Sequence, residues 1–224
     1  MIRAAVLALA ALLLASAARA QQEGPAYVVI YVEVAADATQ QALAALRQYR
    51  AAVGKDTANQ GIQLVQEIGR PTRLAVIEFW AGQPEFEAND KSAAAEQLRD
   101  SLKPIEIVPR DRRLHFGFAV SGGTLPGGGA VYAVSHIDVN PVNRPKTEPI
   151  LKQLVEDSRK DAGNLRFDVY QQLRALNHFG SVAVWRDRKA FEAYEGQAHT
   201  KAARAELLPL LGALYDERLY QPVE

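Results

Sequence analysis

Hydrophobic positions along this chain follow two periods, and the periods alternate in a fixed order. Residues 27–34 form a short run rich in β-branched and aromatic side chains, the composition of a strand. Residues 38–53 place Leu43, Leu46, Arg50 and Val53 at steps of three and four, which predicts a helix with a partly apolar stripe. Residues 61–68 and 73–80 read as two strands joined through Gly69-Arg70-Pro71, a hairpin turn. Pro84 opens a second helix, where proline is tolerated in the first turn, and a last strand lies within 105–118. The order then recurs: strand 131–139, helix 148–160, strands 166–173 and 178–185, helix 188–207, and a strand near 214–220.

The recurrence extends to individual residues. An ungapped shift of 105 positions places Tyr27 on Tyr132, Val34 on Val139, Leu46 on Leu151, Lys55-Asp56 on Lys160-Asp161 and Asn59 on Asn164. The same shift superposes Trp80 on Trp185, Phe86-Glu87-Ala88 on Phe191-Glu192-Ala193, Arg99 on Arg204 and Arg113-Leu114 on Arg218-Leu219. This is an internal duplication. The copies span residues 26–120 and 130–222, with a Gly-rich linker at 121–129 that predicts a flexible connection.

Strand, helix, strand, strand, helix, strand predicts an α+β unit of the ferredoxin-like kind. The two helices cover one face of its sheet, and the other face needs a partner. Two tethered copies supply that partner, so their sheets are expected to pack into an intrachain dimeric α/β barrel with a pseudo-twofold axis.

The first twenty residues stand apart. Arg3 gives a positive start, residues 4–15 are Ala, Val and Leu, and Ala18-Arg19-Ala20 has the small residues of a cleavage site. That is the pattern of a secretory signal peptide, with cleavage expected after Ala20 and a periplasmic or secreted mature protein. The apolar run is shorter than the ~20 residues of a spanning helix, so no membrane association is expected after cleavage. Composition adds exclusions rather than a function. Lys+Arg and Asp+Glu both number 26, so no basic excess points to nucleic acid. The absence of cysteine removes disulfides, thiolate metal sites and a Cys nucleophile.

Several residues of the second copy carry a resemblance. Trp185 ends the third strand, His199 follows fourteen residues later on the next helix, and Asp161-Ala162-Gly163-Asn164-Leu165 turns into the second strand. Together with Asn177-His178-Phe179 and Phe191-Glu192-Ala193-Tyr194, this resembles the antibiotic-biosynthesis-monooxygenase (ABM) family of the dimeric α/β-barrel superfamily. Ala162 departs from the family's proline in that turn. The resemblance implies quinol-type or polyketide-type oxygenation with no metal, flavin or haem. A deprotonated, electron-rich phenol or hydroquinone can itself reduce O₂, so the protein supplies a base, a shaped pocket and exclusion of water. The haem-degrading relatives carry both a Trp and a His on the helix after the third strand, and this chain has no Trp there.

His199 is the candidate base, a residue type that titrates near neutrality. The first copy has Ala94 at the matching place, so chemistry is expected in the second copy and repeat one reads as degenerate. Trp185, Tyr194 and Asn164 are the candidate substrate-binding residues. Against these stand packing roles for Trp185, which recurs as Trp80, and a turn role for Asn164, which recurs as Asn59. Tyr27 and Tyr132 are expected to pack. His115, His136 and His178 sit on expected strands without metal-ligand spacing, and Gly127-Gly128-Gly129 lacks the ending of a phosphate loop. The mixed-sign runs 110–113 and 186–189 read as solvated surface. The resulting expectation is an exported, cofactor-independent monooxygenase whose partner is a small aromatic substrate, with homo-oligomerisation open. The rivals are a non-catalytic barrel that binds a small apolar ligand, and an inert dimerisation module.

Overall fold

A computed structural model describes residues 24–224, so the signal-peptide reading falls outside the described residues. The strands are β1 (Ala26–Glu33), β2 (Asn59–Glu67), β3 (Arg73–Trp80) and β4 (Asp111–Ala119) in the first repeat. Those of the second are β5 (Val131–Asp138), β6 (Asn164–Gln172), β7 (His178–Trp185) and β8 (Asp216–Pro222). The helices are α1 (Thr39–Val53), α2 (Gln83–Asp90) and α3 (Ala93–Leu102), then α4 (Arg144–Ser158), α5 (Arg188–Gly196) and α6 (Ala198–Leu207).

The eight antiparallel strands close a barrel in the order β1-β3-β2-β8-β5-β7-β6-β4. Each repeat contributes one ferredoxin-like sheet, and the sheets also join at their edges. One seam pairs Val65 with Pro222 and Glu67 with Tyr220; the other pairs His115 with Gln172 and Phe116 with Gln171. Edge strands that would otherwise expose unpaired backbone groups are thereby closed off.

Strand alternation sorts the side chains into three cores. On β3, Leu74, Val76 and Trp80 point outward and pack with Leu43, Leu46, Phe86 and Leu98 of the covering helices. The intervening Ala75, Ile77 and Phe79 point into the lumen, where they meet Tyr27, Tyr132, Tyr170 and Tyr220. On β7, Phe179, Ala183 and Trp185 face the helices of repeat two, while Val182 and Val184 face the lumen. Tyr27 stacks on Tyr170 with ring centroids 4.7 Å apart.

Two features differ from the sequence expectation. The single second helix of each repeat is a broken pair, because Ser92 and Gln197 are extended. At the first break the Ser92 hydroxyl accepts a hydrogen bond from the Ala95 amide at 3.2 Å, a capping bond that starts a new helix. The inter-repeat segment has no helix or strand, yet it is tied down. Arg166 donates to the Ser121 carbonyl at 2.6 Å and the Gly123 carbonyl at 3.0 Å, and Asp168 accepts from the Ser121 amide at 2.7 Å. Arg166 also pairs with Asp168, and both side chains are buried. Leu125 of this segment, and Val120 just before it, pack onto the lumen core.

Candidate functional site

In repeat two, the helix break sets the position of His199, the second residue of α6. The Asp161 carboxylate, in the turn before β6, stands 3.1 Å from His199 Nε2. Partial burial raises the Asp161 carboxyl above its ordinary range, and the neighbouring His199 pulls it back down. The contact is an ion-pair distance without hydrogen-bond geometry, since neither atom has a hydrogen-bond partner among the described residues, and an imidazole beside a carboxylate has the charge pairing of a base. His199 lies on a groove of about 720 Å³ between α4 and α6, whose apolar lining includes Pro149, Ile150, Leu154 and Leu210. Lys146, Asp157 and Glu206 add charge to it.

The other three candidates lie behind this groove or beside it. Trp185 is fully buried and stacks on Tyr194 with centroids 4.6 Å apart. Tyr194 is itself buried, its phenol is pushed well up by desolvation, and its ring centroid is 6.3 Å from that of His199. Asn164 begins β6, where its side-chain amide donates to the Arg166 carbonyl at 3.2 Å. The structure thus brings Trp185, Tyr194 and His199 into one aromatic file and places Asn164 at the adjoining turn. Only His199 of the four lines the groove.

The corresponding groove of repeat one, lined by Ala94 in place of His199, shrinks to about 70 Å³. Repeat one has instead a cavity of about 460 Å³ between sheet and helices, with Ile30, Tyr49, Phe86 and Leu98 among its walls. Behind Tyr49 stands Glu78, fully buried on the helix-facing side of β3. Trp80 Nε1 donates to Glu78 Oε2 at 2.8 Å, while Oε1 has no hydrogen-bond partner among the described residues. Burial raises the Glu78 carboxyl from 4.5 to about 7, opposed by the Trp80 bond, the Tyr49 hydroxyl and the Arg112 charge. The Tyr49 hydroxyl accepts a hydrogen bond from Asn89 at 2.8 Å.

The sequence reading missed this cluster because it followed histidines. The available signal was Glu78 itself, the one charged residue within the otherwise apolar run Leu74 to Trp80. Its parity along the strand puts it on the same face as Trp80. Repeat two carries Ala183 at that position, so the carboxyl belongs to one repeat and the histidine to the other. Among the described residues no cluster of three His, Asp or Glu side chains is arranged to hold a metal ion.

Comparison with known proteins agrees with this duplicated architecture. A family model described as "Antibiotic biosynthesis monooxygenase" matches twice, at residues 25–100 and 130–206. A Bacillus subtilis (strain 168) protein, "Putative monooxygenase YcnE", is 28% identical over 82 residues, covering 37% of this chain and 86% of that protein. The structure of a Fusobacterium nucleatum protein titled as a putative monooxygenase superposes with TM-score 0.81 at 17% identity, covering 90% of this chain and 93% of that one. An anthrone oxidase-like protein superposes with TM-score 0.67 at 13% identity, covering 90% of this chain and 92% of that one. At such identities the solved structures speak for the fold, while the family model covers most of both repeats: the chain belongs to the antibiotic biosynthesis monooxygenase family, in tandem form.

Proposed function

We propose that the chain is an exported monooxygenase that oxidises an aromatic hydroquinone or phenol without a metal, flavin or haem. The observation that carries this reading is the His199–Asp161 pair at the edge of the α4–α6 groove. A phenol seated in the groove gives its proton to His199, and Asp161 stabilises the imidazolium that forms. The phenolate is then electron-rich enough to reduce O₂ directly. For a hydroquinone the balance is one O₂ consumed, one oxygen atom added to the ring to give a hydroxyquinone, and the other released as water. The Tyr194–Trp185 stack forms a dry wall behind the imidazole, and Asn164 fixes the turn that presents Asp161.

Export rests on residues 1–20, and a mature protein that begins at Gln21 in a periplasmic extract is its expected signature. The activity is tested by O₂ consumption of the mature protein across hydroquinones and phenols, with no added metal or flavin. Uptake that falls by about 10²–10⁴-fold in His199→Ala supports the base assignment. A folded protein that consumes no O₂ opposes it. One observation favours a second reading, a barrel that only binds a small apolar ligand: Trp185 and Tyr194 fill the space beside His199. A ligand-dependent rise in melting temperature without O₂ uptake would select that reading.

A further inference from the structure

We propose that the cavity of repeat one is a second binding site, separate from His199, and that it takes a small aromatic carboxylate. Its volume of about 460 Å³ suits a ligand of one or two rings. Ile30, Phe86 and Leu98 supply apolar walls for the ring. The rim is cationic: Lys91, Arg99, Arg110 and Arg112 line the cavity, and the carboxylates beside them are Asp90 and Glu106. Arg99 and Arg112 each reach Asp90 through Nη1, and among the described residues no hydrogen-bond acceptor meets Nη2 of either guanidinium group. A planar guanidinium with unused donors is the group that reads a carboxylate. Arg112 also lies over the Phe86 ring, 5.5 Å from its centroid, so ring and charge are presented together.

The second repeat shows what the same frame looks like when it is closed. At the positions of Ile30, Asp90, Arg110 and Arg112 it has Ser135, Glu195, Tyr215 and Glu217. Tyr215 bonds to Ser135 and Glu217, each at 3.0 Å, and Arg204 pairs with Glu217 at 3.2 Å and Glu195 at 3.3 Å. A tyrosine and a carboxylate, Tyr215 and Glu217, occupy the places of Arg110 and Arg112, so the anion-attracting rim belongs to repeat one.

Glu78 does not line the cavity but lies buried behind Tyr49, and its Oε1 has no hydrogen-bond partner among the described residues. The groups facing the Glu78 carboxyl are Tyr49 from α1, Asp90 from α2, Arg112 from β4 and Trp80 from its own strand. Protonated, Glu78 leaves the arginine charge to the ligand; ionised, it competes for that charge. Binding of a permanently ionised carboxylate therefore weakens as the pH rises through neutrality.

The test is calorimetric titration of the mature protein with naphthoate and with its neutral counterpart, naphthylmethanol. Naphthoate is expected to bind one per chain and at least about tenfold more tightly than the alcohol, from the charge-assisted bonds. Arg112→Met should weaken naphthoate about tenfold, while His199→Ala leaves it bound as before. If Arg112→Met does not fold, Ala95→Leu, which fills the cavity from α3, replaces it and should abolish binding. Affinity should drop several-fold from about pH 6 to about pH 8, and Glu78→Gln should flatten that slope. Equal affinity for acid and alcohol, no binding of either, or binding lost in His199→Ala and kept in Arg112→Met would overturn the proposal.

Discussion

The two repeats share a backbone plan and differ in what fills the layer between sheet and helices. Repeat two packs that layer shut with Trp185 stacked on Tyr194, and its histidine looks outward onto the α4–α6 groove. Repeat one keeps the layer partly open, with a carboxyl at its base and arginines at its rim. Among the substitutions that separate them are Glu78 for Ala183, Asn89 for Tyr194, Ala94 for His199, Arg110 for Tyr215 and Arg112 for Glu217. Duplication lets the invariant framework, such as Trp80 and Trp185, hold the fold while each copy's inner layer diverges. Loss of the histidine does not make repeat one featureless.

The largest expected effect breaks the comparison at the linker. Arg166 and Asp168 of β6 form a buried pair that repeat one replaces with Gly61 and Gln63. Asp168→Ala leaves a buried guanidinium without its partner and should cost about 3–5 kcal/mol in chemical denaturation. Gln63→Ala should cost much less. A small loss at Asp168 would show that the segment between the repeats is not held by this pair.

Next comes the titration of Glu78. Its carboxyl is raised to about 7 in the fold, so the folded protein binds that proton more tightly than the unfolded chain. The stability it contributes is complete below about pH 4.5 and is lost as the pH rises through about 7, on the order of 3 kcal/mol. Melting temperature should accordingly fall across that window, and Glu78→Gln should remove this component. An unchanged slope in the variant would place Glu78 in a more solvated setting than the fold shows.

A smaller effect sharpens the comparison inside the lumen. Gly180 faces Tyr170 across the β6–β7 pair, whereas repeat one has Ala75 opposite Val65. A methyl group at Gly180 would run into the Tyr170 ring, so Gly180→Ala should cost about 1–3 kcal/mol. Adding Tyr170→Val, which copies repeat one, should recover part of the loss. No recovery would mean that the two lumen halves are not interchangeable.

Much of this architecture was legible in the chain. The matches of Tyr27 with Tyr132 and Trp80 with Trp185 set the repeat register, and alternation along the strands gave the sheets two apolar faces that called for a barrel. The breaks in the second helices were harder to read. They depend on Ser92 and Gln197 adopting extended geometry, which periodicity does not report. The site was legible in part. His199 could be placed on its helix, but its partnership with Asp161 joins residues far apart in sequence. The burial of Tyr194 and the opening beside Tyr49 depend on side-chain volumes contributed by several elements at once. Glu78 was visible as a lone charge in an apolar strand, and its meaning emerged only with Tyr49, Asn89 and Arg112 around it.

The most direct measurement of the central claim is O₂ uptake with a responsive hydroquinone, taken side by side for the native mature protein, His199→Ala and Glu78→Gln. The account predicts uptake by the native protein that collapses in His199→Ala. Uptake that persists in His199→Ala and collapses instead in Glu78→Gln would place the base in repeat one and contradict it.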